Sequence, residues 1–565
     1  MESINKKSEI IFLSLSLTLI FLLLTGGKVI DPTYIEWITL GDEKTHWLNW
    51  LFFRETNLFQ FPIFKNYLYG LDISSSLVLN DALPIMAILF KPISGLLPDN
   101  FQYFGIWLYI CFILQGFTAF FLISKFTNDR LLCLVGSLFF TIAPPFLWRL
   151  HGHYSLMGQW LILYALYIYF DNDFKFKKWF FLISFSLLIN AYFSGIIFGI
   201  FLVDLIQARL KKLLSDRELT VRLASITGWS ILFGYLLGYF LAGVGSGAKG
   251  FGLFRANLDS FFDSDNHQGW SRILPDLASV EYDHEGFAFL GIGILILLAI
   301  SLIVLFFNQK KINIDAKKVL PISCLGLMYF IFSLSNNVVL GDTELFQYDI
   351  PAFLNFITKP FRSSGRFIWL PFYLIYCFIF YILSRNWCRQ YSRILVLIFF
   401  ALQIYDSSEI YSHLRNKFSR PEVYWKNDKT IRYLPGFNSP LKDGLWKEFP
   451  KKYSNIFYVV PQTGYHHISS SSLPDEHHNF FPLSYYAASN KMGINSGYFS
   501  RYSKKRYKLM KDKLEKSIKN NQFDKNAIYY FNDDDLWSLV LKYDKKTNFI
   551  GEIDGYRIFA PGYYK

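Results

Sequence analysis

Charge is scarce in this chain. Only 18% of its 565 residues are Asp, Glu, Lys or Arg, against 52% hydrophobic and 20% aromatic, a balance that excludes an ordinary soluble multidomain enzyme. Cysteine is almost missing as well. Cys111, Cys133, Cys324, Cys377 and Cys388 fall inside apolar segments or beside basic loops, without paired spacing, which excludes a disulfide framework and a zinc site. There is no internal repeat and no low-complexity tract. An A-x-A cleavage pattern is also lacking after the first apolar run, Ile10 to Leu24, so that run is expected to stay as an uncleaved first helix.

What the chain has in quantity is long apolar runs. They lie at 9–25, 102–124, 131–147, 155–170, 179–206, 223–243, 287–307, 318–335, 367–384 and 392–405. The run at 179–206 is expected to break near Asn190 to Gly195, which gives about eleven transmembrane helices. The formal charge of +13 is basic enough for nucleic acid, but its distribution points elsewhere. Lys6 and Lys7, Lys125 and Arg130, Lys175 to Lys178, Arg209 to Arg222, Lys310 to Lys318, and Arg385 to Arg393 occupy every second loop. That is the positive-inside pattern, and it sets the N-terminus inside and the C-terminus outside, with no nucleic-acid partner.

The fold class expected is therefore a polytopic α-helical membrane protein: a transmembrane domain over 1–405 with a first outer loop at 26–101, then an exported soluble domain over 406–565. Short β-like runs at 456–460, 527–531 and 556–561 flank a charged helical stretch from Tyr502 to Asn520 and make that domain α/β or α+β. In the first loop, residues 83–98 are apolar but too short to span, and read as a helix in the membrane interface or a shallow re-entrant one.

The unusual polar residues crowd into the outer loops. GDEKTHWLNW places Asp42, Glu43 and His46 just after the first helix. If Asp42 opens a helix, His46 lies one turn later on the same side, and the carboxylate is placed to act as a general base. On spacing alone, a helix cap is the reading of Asp42 to prefer. Asp81 stands directly before the interfacial segment. Arg149, His151 and His153 share one short hairpin, where the arginine suits a phosphate and the H-G-H spacing is poor for a metal. Trp270, Arg272, Asp276, Asp283, His284 and Glu285 give another loop the mixture of aromatics and acids that binds sugars. Arg362 and Arg366 flank Ser363, Ser364 and Gly365, which reads as a phosphate cradle or as two arginines snorkelling at a helix end.

An uncleaved first helix, an Asp-Glu pair in the first outer loop, many spans and an exported C-terminal domain resemble the GT-C glycosyltransferase superfamily. The nearest likenesses are the protein O-mannosyltransferases and the lipid A aminoarabinose transferases. The segments NDALPIMAILFKPI, PPFLWRLHGHYSLMGQWLILYALYIYF, GWSRILP, EGFAFLGIG and SSGRFIWLPFYLI are similar to a bacterial membrane family of uncharacterised function placed in that superfamily. The resemblance implies a GT-C-like enzyme of the bacterial inner (plasma) membrane. Its donor would be a polyprenyl-phosphate sugar and its acceptor a cell-envelope glycan or a lipid. Asp42 and Glu43 would be catalytic, with Asp42 as base, and Arg362 and Arg366 would hold the phosphate. A divalent cation, Mg or Mn, is compatible with the first-loop acid. Two other classes stay open: a flippase for lipid-linked glycans, against which the nearly charge-free spans speak, and a non-catalytic envelope scaffold.

Overall fold

The computed structural model describes residues 2–39, 41–73, 75–171, 173–243, 250–264, 269–278, 283–308, 315–386, 389–424, 439–464 and 480–565. Lys310, Lys311, Cys388 and the Asp283 side chain lie outside what is described. The chain divides into two compact units. The first takes Met1–Trp37, Tyr103–Ile231 and Lys249–Asn427, and the second takes Ile38–Gln102, Leu232–Ala248 and Asp428–Lys565.

The first unit is helical. Among the described residues six helices are long and apolar enough to cross a membrane: Lys7–Thr25, Phe104–Ile123, Ala191–Leu210, Asp216–Leu237, Ala316–Ser333 and Ser364–Arg385. Two bent pairs raise the number to eight, namely Arg130–Thr141 with Pro144–His151 at 43° and Arg389–Asp406 with Ser408–Ser419 at 56°. The first bend falls at Pro144 and Pro145, where two backbone donors are missing. Other apolar runs yield helices below the usual spanning length of about 20 residues: Trp160–Tyr169, Phe176–Leu187 and Ile292–Asn308, of 10, 12 and 17 residues.

The break near Asn190 falls where the sequence places it, and its cause is local. Asn190 is extended, and its side-chain oxygen accepts from the Tyr192 N–H at 3.1 Å, so it caps the Ala191–Leu210 helix and ends the one before it. The first helix shows what solvates these elements. Leu13, Leu17, Phe21 and Leu24 are buried along one stripe, while Ile11, Leu15 and Leu19 on the other side are more than half exposed. A helix as apolar outside as inside is compatible with hydrocarbon as its solvent.

Two loops of the basic series hold carboxylates among their cations. Asp171 accepts from Lys125 and Lys175. Burial would raise its carboxyl, but those two ammonium groups pull it down to about 2. Asp129 caps the Arg130–Thr141 helix through the Leu131 and Leu132 N–H groups, and pairs with Arg389 at 2.7 Å and Arg393 at 2.9 Å.

In the second unit the C-terminal segment forms a five-stranded mixed sheet, in the order Gly493–Ile494, Asn455–Tyr458, Ala527–Tyr530, Tyr556–Ala560, Phe549–Ile553. The first three strands are parallel and the last two antiparallel. The expected charged helix runs from Lys504 to Lys519. The compact units group the chain differently from a cut at residue 405: Ser408–Ser419 packs with the first helix, and the first outer loop joins the sheet domain. Backbone contributes to the joint. Ile494 N–H donates to Leu68 O and Gly70 N–H to Ile494 O, both at 2.8 Å, so the loop extends the sheet past its edge strand. The apolar segment 83–98 becomes a short helix, Pro84–Phe90, and a 3-10 turn, Lys91–Leu96, with Leu89 and Leu96 well exposed.

Candidate functional site

Two polar clusters are built from the residues singled out in the sequence, one in each unit.

In the first unit, Glu285 sits in a 3-10 turn, Asp283–Gly286, and Arg366 in another, Ser364–Ile368. Gly286 and Gly365 let these turns meet: a methyl on Gly365 would lie 2.8 Å from the Gly286 Cα and from Arg255 backbone, and one on Gly286 would lie 2.3 Å from the Ala256 Cα. Arg366 then grips the Glu285 carboxylate with both arms of its fork, Nε to Oε2 at 2.9 Å and Nη2 to Oε1 at 2.8 Å. Arg149 adds Nη1 to Oε2 at 2.9 Å and Nη2 to the Glu285 carbonyl at 3.0 Å. Burial raises the Glu285 carboxyl, yet the Arg366 and Arg149 guanidinium groups hold it well below the usual carboxylate range. All three side chains are buried. Arg149 further stacks over Trp369 at 5.2 Å and Arg366 over Tyr192 at 4.5 Å.

This arrangement assigns the arginines different work from the phosphate cradle expected of them. Arg366 and Arg149 are engaged with Glu285. The Ser363 and Gly365 N–H groups donate to the Tyr192 hydroxyl and the Phe254 carbonyl. Arg362 is apart: it is half-buried, lies over the Phe254 ring at 5.8 Å, and makes no ion pair among the described residues. A linked triad of two cations and one anion is costly to desolvate and costlier to break, and it ties together three loops far apart in sequence.

Aromatic rings gather around Trp148, the neighbour of Arg149 in sequence. Trp148 lies 5.0 Å from His151, 5.2 Å from Phe287, 6.0 Å from Trp270 and 6.2 Å from His284. Trp270 is fully buried, so its faces meet Phe287 and Trp148 rather than a ligand, and its Nε1 has no hydrogen-bond partner among the described residues. The His151 Nδ1 faces the Trp148 carbonyl at 3.1 Å. His153 is half-buried and lies close enough to act on the Glu285 charge. Arg272 is exposed; its backbone N–H, with Ser271 and Ile273, binds the buried Asp406 carboxylate. Asp276 is exposed.

In the second unit, Asp42 stands directly before the Glu43–Arg54 helix, as the motif suggests. It does not cap that helix. Its backbone is already helical, at φ −75° and ψ −20°, and its side chain accepts no hydrogen bond from the first turn. The half-buried Asp42 carboxylate makes no hydrogen bond among the described residues. Glu43 is buried behind it. Burial lowers the Lys44 ammonium while the Asp42 and Glu43 charges pull it back up. The spacing argument passed over Lys44, although it lies inside the acidic motif itself.

One turn on, buried His46 points its Nε2 at the Asp81 carboxylate, 4.0 Å away. Ligands bound at about 2.1 Å to one divalent ion lie up to about 4 Å apart, so this pair has the spacing to share such an ion. The helix is fixed from both sides. Trp47 stacks on Tyr485 at 5.5 Å, and Asn49 takes a bond from Asn80, the neighbour of Asp81, at 3.2 Å.

Asp42, Glu43, His46 and Asp81 thus belong to one unit, and Arg149, His151, His153, Trp270, Arg272, Glu285, Arg362 and Arg366 to the other. A family model described as "Domain of unknown function (DUF6311)" matches residues 14–408, and one described as "DUF6311 C-terminal domain" matches residues 445–561. No curated protein matches the chain.

Proposed function

The chain belongs to the DUF6311 family, and we propose that it is a membrane glycosyltransferase of GT-C type. It moves a sugar from a polyprenyl-phosphate carrier to a glycan or lipid acceptor on the extracytoplasmic side of a bacterial inner membrane. The observation that carries this reading is the Asp42 carboxylate, set at the start of a buried helix and not consumed by capping it. A carboxylate whose oxygens accept no hydrogen bond among the described residues is suited to take a proton. The topology proposed with it has eleven crossings, the shorter apolar helices included, with the N-terminus inside.

Asp42 removes the acceptor hydroxyl proton as that oxygen bonds to the anomeric carbon of the sugar. The bond from this carbon to the phosphate oxygen breaks, and its electron pair leaves with the polyprenyl phosphate. The proton passes from Asp42 to water. Within the first unit, Arg362, unlike Arg149 and Arg366, has a fork that is not spent on a carboxylate among the described residues. His46 and Asp81 would hold a divalent cation, which would supply Lewis-acid assistance when bound. The Arg149–Glu285–Arg366 triad positions loops and touches no substrate.

The test is an in vitro assay of the purified protein with a panel of polyprenyl-phosphate sugars and envelope acceptors. Transfer from one member, lost in Asp42→Asn, is the expected result. A protein that binds these donors but releases no polyprenyl phosphate with any acceptor would refute the assignment.

A further inference from the structure

The helix Lys504–Lys519 of the second unit carries eight Lys or Arg residues and two acids, far more charge of one sign than a helix needs for solubility. Its buried side is small: Met510, Leu514 and Ile518. Arg506, Leu509, Met510 and Lys513 recur at i, i+3, i+4 and i+7, which places them on one stripe. That stripe forms one wall of a cavity of about 430 Å³. The other wall comes from the first outer loop, where Lys65 and Tyr67 lie two residues apart beside a short strand and Asp72 follows in a 3-10 turn.

Three cations and one carboxylate line this space. Among the described residues neither Lys65 nor Lys513 makes an ion pair, and Lys65 rests over the Tyr67 ring at 4.1 Å. Burial lowers the Lys65 ammonium and Arg506 lowers it further, while Asp72 pulls it partly back up. An anion entering the cavity relieves that repulsion. The cavity has the size of small-molecule sites, which run from roughly 300 to 1,000 Å³. It is concave, so a flat anionic bilayer does not fill it. Tyr67 is 41% exposed and offers a ring face for stacking, and Asp72 offers an acceptor for hydroxyl groups.

We propose that this groove is a binding site for an anionic saccharide, a stretch of glycan bearing carboxylates or phosphates. The cations read the charge, Tyr67 the ring and Asp72 the hydroxyls. The site stands apart from sugar transfer and holds whether or not the chain is an enzyme.

The experiment is fluorescence anisotropy on the full-length protein in neutral detergent, with a labelled oligogalacturonate and a neutral maltooligosaccharide of equal length as probes. The acidic probe binds saturably, weakens with added salt, and loses roughly tenfold or more in affinity in the Arg506→Ala, Lys513→Ala double variant. Tyr67→Ala loses about threefold or more. The Lys516→Ala, Lys519→Ala double variant removes the same charge from the same helix outside the groove, and binds as wild type. Equal loss in both double variants, or no saturable binding of the acidic probe, overturns the proposal. So does binding to vesicles of phosphatidylglycerol and phosphatidylcholine in equal parts without any binding of the saccharide, which would make the helix a membrane contact. Thermal melts that coincide with wild type keep a folding defect from counting as lost binding.

Discussion

The two units offer contrasting polar clusters, one of buried and matched charge and one of half-buried or exposed charge. In the first, Arg149 and Arg366 converge on Glu285, and the carboxylate is matched by charge-assisted hydrogen bonds on both oxygens. In the second, the Asp42 carboxylate caps nothing, and Lys65 and Lys513, without an ion pair among the described residues, line a cavity. Buried charge that is fully matched serves the fold, since its partners are already inside the protein. Charge that is positioned but not matched is what a ligand or a proton needs. By this contrast, Arg149 and Arg366 are spent on Glu285, and the carboxylate that most resembles a helix cap accepts no cap bond.

The contrast breaks first at Asp42. Asp42→Asn is expected to lower transfer by about a hundredfold to ten-thousandfold, the range of a lost general base, measured as polyprenyl phosphate released per enzyme. Next comes Glu285→Gln, which leaves two buried guanidinium groups facing a neutral amide and is expected to cost about 3–5 kcal/mol, read as a lower thermal midpoint in detergent. Gly365→Ala sharpens the same point. Its new methyl meets backbone at 2.8 Å, where nothing flexible can yield, and a loss of about 1–3 kcal/mol is expected in the same melt.

Asp171 supplies a pH test. Its folded-state carboxyl lies at about 2 against an ordinary 3.8. A depressed carboxylate stabilises the fold above its ordinary value, and that contribution disappears as pH falls through the folded value. Lowering pH from about 4 to about 2 should therefore cost about 1 kcal/mol more in wild type than in Asp171→Asn, allowing for solvent around the partly exposed lysines. The smallest effect separates a cap from a base. Asp533 accepts from the Leu536 N–H and caps its helix, so Asp533→Ala should cost about 1 kcal/mol. Asp42→Ala should cost under about 0.5 kcal/mol, because no cap bond is lost.

Much of this was legible in the sequence, and what was not has a common cause. Apolar runs mark helices because periodicity and length are local, and Asn190 marks a break because its cap bond spans two residues. The strands near 456, 527 and 556 were legible for the same reason. Arg149, Glu285 and Arg366 each stood out as unusual residues, but their mutual pairing joins positions 81 and 136 residues apart. No local pattern carries that. The docking of the first loop on the C-terminal sheet joins Leu68 and Gly70 to Ile494 through main-chain bonds and Tyr69 to Phe499 through their rings, contacts between positions more than four hundred residues apart that no local pattern carries. The cap at Asp42 failed as a pattern because capping depends on φ and ψ as well as residue type.

One measurement bears most directly on the idea that Asp42 is kept for chemistry: turnover and thermal midpoint of Asp42→Asn, recorded side by side with wild type on the same preparations. The expected result is an unchanged midpoint with transfer reduced at least about a hundredfold. Full transfer in a stably folded Asp42→Asn protein would contradict it.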